Sequence, residues 1–169
     1  MIENLTLEKA MAFAAQTEEL GTQFYRRLSE RFSDDQEIAQ IFATLSEDEV
    51  AHQQQFEALI GIVAKMSPEP AQAEDLTYLG VLAQTAFFGG EGALEKQLEK
   101  IKSPQDALQR ALQLEKDTLG YYAAMKEVLG ENDVLNGIIT FEKGHVTKLF
   151  QYLVTGAKMR GLGDVFNGA

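Results

Sequence analysis

Glu49-Val50-Ala51-His52 and Glu142-Lys143-Gly144-His145 contain the chain's two histidines, and each histidine follows a glutamate by three residues. On a helix, positions i and i+3 share a face one turn apart. A carboxylate oxygen and an imidazole nitrogen then point at a common centre, which is how one helix presents two metal ligands. A lone Glu-x-x-His is usually a surface pair. Two of them, using both histidines, point to two metal ions or to one site with two metals.

Working outward, each motif is preceded by a segment of matching design: Glu18-Glu19-Leu20-Gly21-Thr22-Gln23-Phe24-Tyr25 and Glu115-Lys116-Asp117-Thr118-Leu119-Gly120-Tyr121-Tyr122. In each, a tyrosine follows the leading glutamate by seven residues, close to two helical turns, so Glu18 and Tyr25 share a face, as do Glu115 and Tyr122. The chain reads as a doubled unit: a helix with Glu and Tyr, then a helix with Glu-x-x-His. The offset from Glu18 to Glu115 is close to that from His52 to His145, as duplication of a helical hairpin would leave it.

This arrangement resembles the ferritin-like superfamily, and within it the rubrerythrin-like diiron carboxylate proteins. Their bundles take one glutamate from each of two helices and Glu-x-x-His from each of the other two. The matching positions are Glu18, Glu115, Glu49 with His52, and Glu142 with His145. The resemblance runs from about residue 7 to about residue 157. It implies an all-α four-helix bundle with a long crossover, containing a short extra helix, between the second and third helices. It also implies two iron ions, Glu49 and Glu142 bridging them, Glu18 and Glu115 as terminal ligands, and one histidine on each metal. Tyr25 and Tyr122 would lie beside the site, their hydroxyls within reach of a ligand carboxylate. The implied activity is reduction of H2O2 or O2 by ferrous iron.

Two departures qualify that activity. The chain has no cysteine, so it lacks the rubredoxin-like iron domain, held by four cysteines, of classical rubrerythrins and needs an external electron donor. In rubrerythrin peroxidases a further ligand glutamate stands three residues after the third-helix glutamate. Here that position is Thr118, and Asp117 falls off the face. A more symmetric site, like those of bacterioferritin-type ferroxidases, is the alternative.

Composition bounds the remaining possibilities. At 169 residues with three prolines, one helical domain is expected: residues 1–160 as the bundle and 161–169 as a glycine-rich tail. The net charge of −11 argues against binding a phosphate backbone, which needs basic stripes. It fits a solvated acidic surface, or attraction of cations toward a carboxylate-lined interior. Four site glutamates opposite two divalent cations would sum to zero. No apolar run is long enough to span a membrane, and Met1-Ile2-Glu3-Asn4 lacks a secretory pattern, so a cytoplasmic protein is expected.

Along the chain, Thr6 is expected to cap a first helix ending near Phe32. Ser33-Asp34-Asp35-Gln36 reads as a capping box opening a second helix, from about Asp34 to Ile60. Gly61 and Ser67-Pro68-Glu69-Pro70 end the first half. The apolar stretch from Leu76 to Phe88 predicts a crossover helix stopped by Gly89-Gly90, suited to core packing or to a contact between copies of the chain. A homodimer or higher homo-oligomer is expected. Ser103-Pro104 starts the third helix and Gly130 stops it. The fourth spans about Asn132 to Lys158, the glycines beyond being read as unable to continue it. Met11, Met66 and Met125 are expected in the core. Glu91 and Glu95 are within sequence reach of the site, with a solvated face the simpler reading.

Carboxylate oxygens with imidazole suit iron or manganese; zinc would bind but could not cycle redox states. The same six ligands also serve ferroxidation coupled to iron storage or delivery, hydroxylation of an organic substrate, and a purely structural metal.

Overall fold

A computed structural model describes residues 7–63, 77–82 and 92–166. Among the described residues six helices follow in order: α1 (Leu7–Arg31), α2 (Gln36–Val63), α3 (77–82), α4 (Ala93–Lys100), α5 (Pro104–Leu129) and α6 (Asp133–Phe166). There is no strand among the described residues. None of the helices is long and apolar enough to cross a membrane. Thr6, Met66, the Ser67–Pro70 break, Gly89-Gly90 and Glu91 lie outside the described residues.

The long helices form two hairpins, α1 on α2 and α5 on α6. The first is antiparallel by its side-chain register. Ser46 donates to the Thr22 carbonyl (2.9 Å) and Ser29 to the Ala39 carbonyl (2.9 Å), so rising numbers on one helix meet falling numbers on the other. α2 also meets α6, and α1 meets α5, closing a four-helix bundle.

Local chemistry sets the ends. The backbone N–H of Ile38 donates to Asp35 Oδ1 (3.1 Å), so Asp35 is the cap and α2 opens at Gln36 rather than Asp34. α2 then runs through Gly61 to Val63, past the expected end, because an exposed glycine weakens a helix without breaking it. α5 begins as read, with Ser103 and Asp106 in a reciprocal capping box and Pro104 in the first turn. It stops at Gly130, whose φ of 78° and ψ of −166° only glycine adopts readily. Asn132 Oδ1 accepts from Leu135 N (3.1 Å) and opens α6.

One sequence expectation is corrected here and another is extended. α6 runs to Phe166, through Gly161 and Gly163, so the glycine-rich tail is helical over most of its length. Glycine costs about 1 kcal/mol per helical residue relative to alanine, and no proline stands there to remove a backbone donor. Among the described residues the expected crossover helix is present as α3, and a second, α4, follows it. In α3, Leu79 is buried while Tyr78 and Val81 are exposed. α4 is pinned by its polar partners: Arg27 pairs with Glu95 (2.9 Å), and Arg31 donates to the carbonyls of Leu98 (2.7 Å) and Ile101 (3.3 Å). Glu95 is therefore a solvated ion-pair partner and not part of the site.

The core falls into two apolar clusters. One contains Ala10, Met11, Phe56, Leu59, Tyr121, Met125 and Ile138. The other contains Phe24, Leu28, Phe42, Leu45, Leu98, Leu108 and Leu149. On α1, α2 and α5, the polar residues that are buried fall in sequence between the two clusters, so the bundle has an acidic waist between apolar ends.

Candidate metal centre

The helical spacing read from the sequence brings all six candidate donors together. Glu18, Glu49, His52, Glu115, Glu142 and His145 are all buried. Their donor atoms fall into two groups: Glu18, Glu49, His52 and Glu142 in one, Glu49, Glu115, Glu142 and His145 in the other, each within 4.8 Å of one another. Glu49 and Glu142 belong to both. The two imidazoles are neighbours, with ring centroids 5.5 Å apart.

Both histidines turn Nδ1 toward the acids. His52 Nδ1 lies 2.9 Å from Glu142 Oε1, 3.3 Å from Glu49 Oε2 and 3.6 Å from Glu18 Oε2. His145 Nδ1 lies 3.3 Å from Glu115 Oε2 and 3.7 Å from Glu142 Oε2. Tyr25 and Tyr122 sit beside the acids, each hydroxyl donating to the opposite half's glutamate: Tyr25 to Glu115, Tyr122 to Glu18. The heptad spacing places each tyrosine on its own glutamate's face; packing of α1 on α5 exchanges the partners.

The electrostatics are those of a site short of positive charge. Burial pushes Glu18 and Glu49 well above the usual carboxylate range, and the charges of Glu115 and Glu142 add to it, while a hydrogen bond with Glu49 works against it at Glu18. Glu115 is pushed up to about 7, by burial first and by the charge of Glu142 next. Burial alone would lower the histidines, but the facing carboxylates outweigh it. Glu142 and Glu49 carry His52 to about 9, and Glu115 and Glu142 carry His145 to about 11. Burial also opposes ionisation of Glu142, yet the two imidazoles hold it low. Protons thus take the place that cations would fill.

The donor set fits divalent metal. Both carboxylate oxygens of Glu142 are buried without a hydrogen-bond partner among the described residues, although His52 Nδ1 stands close in charge contact. A buried unsatisfied carboxylate is costly, and a metal supplies what it lacks. Oxygen-rich donors with one imidazole per group match iron or manganese, and tolerate zinc.

A cavity of about 10 Å³ opens beside the donors on the α1–α5 side, lined by Thr17, Glu18, Gly21, Glu49, Leu114, Glu115 and Thr118. It has room for roughly one water-sized molecule. Gly21 shapes it: a Cβ there would stand 3.4 Å from Cγ and Cδ of Glu49. Thr118 turns its hydroxyl onto the carbonyls of Leu114 (3.2 Å) and Glu115 (3.1 Å), away from the donor set. A roomier cleft of about 550 Å³, lined by Ile38, Pro104, Leu108 and Tyr152 among others, includes none of the six donors.

Sequence reasoning missed Asp48 and Phe141. His145 Nε2 is 3.1 Å from Asp48 Oδ2, and the Phe141 ring stands edge-on to His52 at 5.8 Å. Each precedes a Glu-x-x-His motif by one residue, the only signal available, and each acts across the helix interface.

A four-helix bundle with four buried glutamates and two histidines at its waist is an all-α bundle of the ferritin-like class, with a site that could hold metal. A family model described as Rubrerythrin matches residues 9–151, most of the chain, and the chain belongs to that family. No curated protein and no solved structure gives a significant match.

Proposed function

We propose that the chain is a diiron oxidoreductase that reduces hydrogen peroxide or dioxygen, drawing its electrons from a separate donor. The carrying observation is the pair of buried donor groups that share Glu49 and Glu142. Glu18 and His52 would complete one metal's ligands, and Glu115 and His145 the other's. When bound, two ferrous ions supply the two electrons that take peroxide to water or dioxygen to peroxide.

The protein's own residues do the rest. Tyr25 and Tyr122 orient the terminal carboxylates by donating to them. Burial keeps the Tyr25 phenol protonated, and the charge of Glu115 adds to this. The two apolar clusters exclude water from either end of the site. The small cavity beside the donors has room for about one water-sized molecule and none for an organic substrate, which argues against hydroxylation.

A second reading, ferroxidation with iron storage or delivery, is favoured by Thr118. Its hydroxyl is engaged with backbone, so no third-helix carboxylate or hydroxyl adds to the donor set there. Anaerobic Fe(II) titration, followed by stopped-flow mixing with H2O2 and separately with O2, tests both. Two irons per chain, oxidised much faster by peroxide, support the peroxidase. Faster oxidation by O2 supports the ferroxidase. Binding of fewer than two irons removes the diiron assignment.

A further inference from the structure

The duplicated halves match at all six donors and differ one residue upstream of each Glu-x-x-His motif. Asp48 precedes Glu49, whereas Phe141 precedes Glu142. Both side chains cross between α2 and α6 to the histidine of the other half. Asp48 Oδ2 stands 3.1 Å from Nε2 of His145, and Phe141 sets its ring against His52. Among the described residues no carboxylate lies within 4.0 Å of His52 Nε2, whose acidic neighbours all face Nδ1.

Resting on the diiron reading, we infer that Asp48 is a positioning residue that makes the two metal positions unequal, the His145–Glu115 position binding more tightly than the His52–Glu18 position. The argument is one of tautomer and basicity. A carboxylate can only accept, so His145 must carry its proton on Nε2 and donate it to Asp48. With Nδ1, which faces Glu115 and Glu142, given to a metal, that donation locks the ring and raises its strength as a ligand. Phe141 offers His52 no acceptor. Its ring holds the imidazole by packing and leaves the tautomer unassisted. Asp48 is only partly exposed, its side chain retaining 38% of its accessible surface, so its charge is less screened than a surface carboxylate's.

Partners of this kind typically alter metal affinity by about 10- to 100-fold. Anaerobic Fe(II) calorimetry on the metal-free full chain should resolve two binding steps. Asp48→Ala should weaken the tighter step by about 10- to 100-fold and leave the other in place; the step affected should be the one His145→Ala removes. Phe141→Asp installs the mirror-image acceptor and should tighten the weaker step, a gain that a merely structural part for Asp48 would not produce. Two indistinguishable steps in the unaltered protein, or an Asp48→Ala chain that melts normally with both steps unchanged or equally weakened, overturn the inference and leave the diiron reading standing. Fewer than two irons in the unaltered protein overturns both.

Discussion

Glu49 and Glu142 differ from the other four donors in belonging to both groups, and substitutions should separate the two kinds. Glu49→Ala or Glu142→Ala should cut bound iron from two per chain to none, since each removes a ligand from both positions. Glu18→Ala should leave one. Metal analysis of protein loaded under nitrogen distinguishes these outcomes, and equal losses from all three variants would contradict the shared-ligand geometry. The tyrosines act on carboxylates rather than on metal. Tyr25→Phe should therefore keep two irons but remove a buried hydrogen bond to an acid, costing about 1–3 kcal/mol. For a chain of this size the melting temperature should fall by about 2–4 °C for each kcal/mol. Four of the six donors were legible in the sequence because i,i+3 spacing is a local property of one helix; Glu18 and Glu115 were legible through the matching Glu–Tyr segments and the resemblance they carry. Asp48 was not legible, because its partner lies on another helix and its neighbour Glu49 drew the reading.

At the scale of elements, helix ends carry information that the packed middles do not. The Ser103–Asp106 box and Gly130 bracket α5, the helix that brings both Glu115 and Tyr122 to the site. Ser103→Ala should cost about 1 kcal/mol. Gly130→Ala forces a Cβ onto a backbone conformation reserved for glycine and should cost about 1–3 kcal/mol. Urea unfolding monitored by circular dichroism should rank Gly130→Ala as the less stable; the reverse order would mean that the turn relaxes to another conformation. Both features were readable in the sequence because capping is short-range chemistry. The second crossover helix and the extension of α6 to Phe166 were not. Glycine-rich and mixed stretches have no decisive local preference.

For the molecule as a whole, the acidic waist couples folding to protons and to metal. Without metal, Glu115 titrates near 7 against an ordinary 4.5, and His52 near 9 against 6.5. Both hold protons more tightly folded than unfolded. Their stabilisation is complete at low pH and is lost as pH rises, through 7 for Glu115 and through 9 for His52. Glu142, held low by the imidazoles, has the opposite sign but acts only below the usual carboxylate range. The melting temperature of chelator-treated protein should accordingly fall from mildly acid conditions to about pH 9. Loading with Fe(II) or Mn(II) should flatten that slope and raise the melting temperature, because the cations displace the protons. A metal-free protein with no such slope would show that the acids are solvated rather than gathered.

The sequence by itself determined the helical class and the donor spacing, which follow from residues within a few turns of one another on a single helix, and the doubled hairpin, which follows from the like spacing of its two halves. The tertiary structure set the pairings across helices. It alone crossed Tyr25 to Glu115 and Tyr122 to Glu18, and set Asp48 against His145 but Phe141 against His52. Those pairings join side chains from different helices. They depend on how closely and in what register the helices approach, which no periodicity along a single segment records.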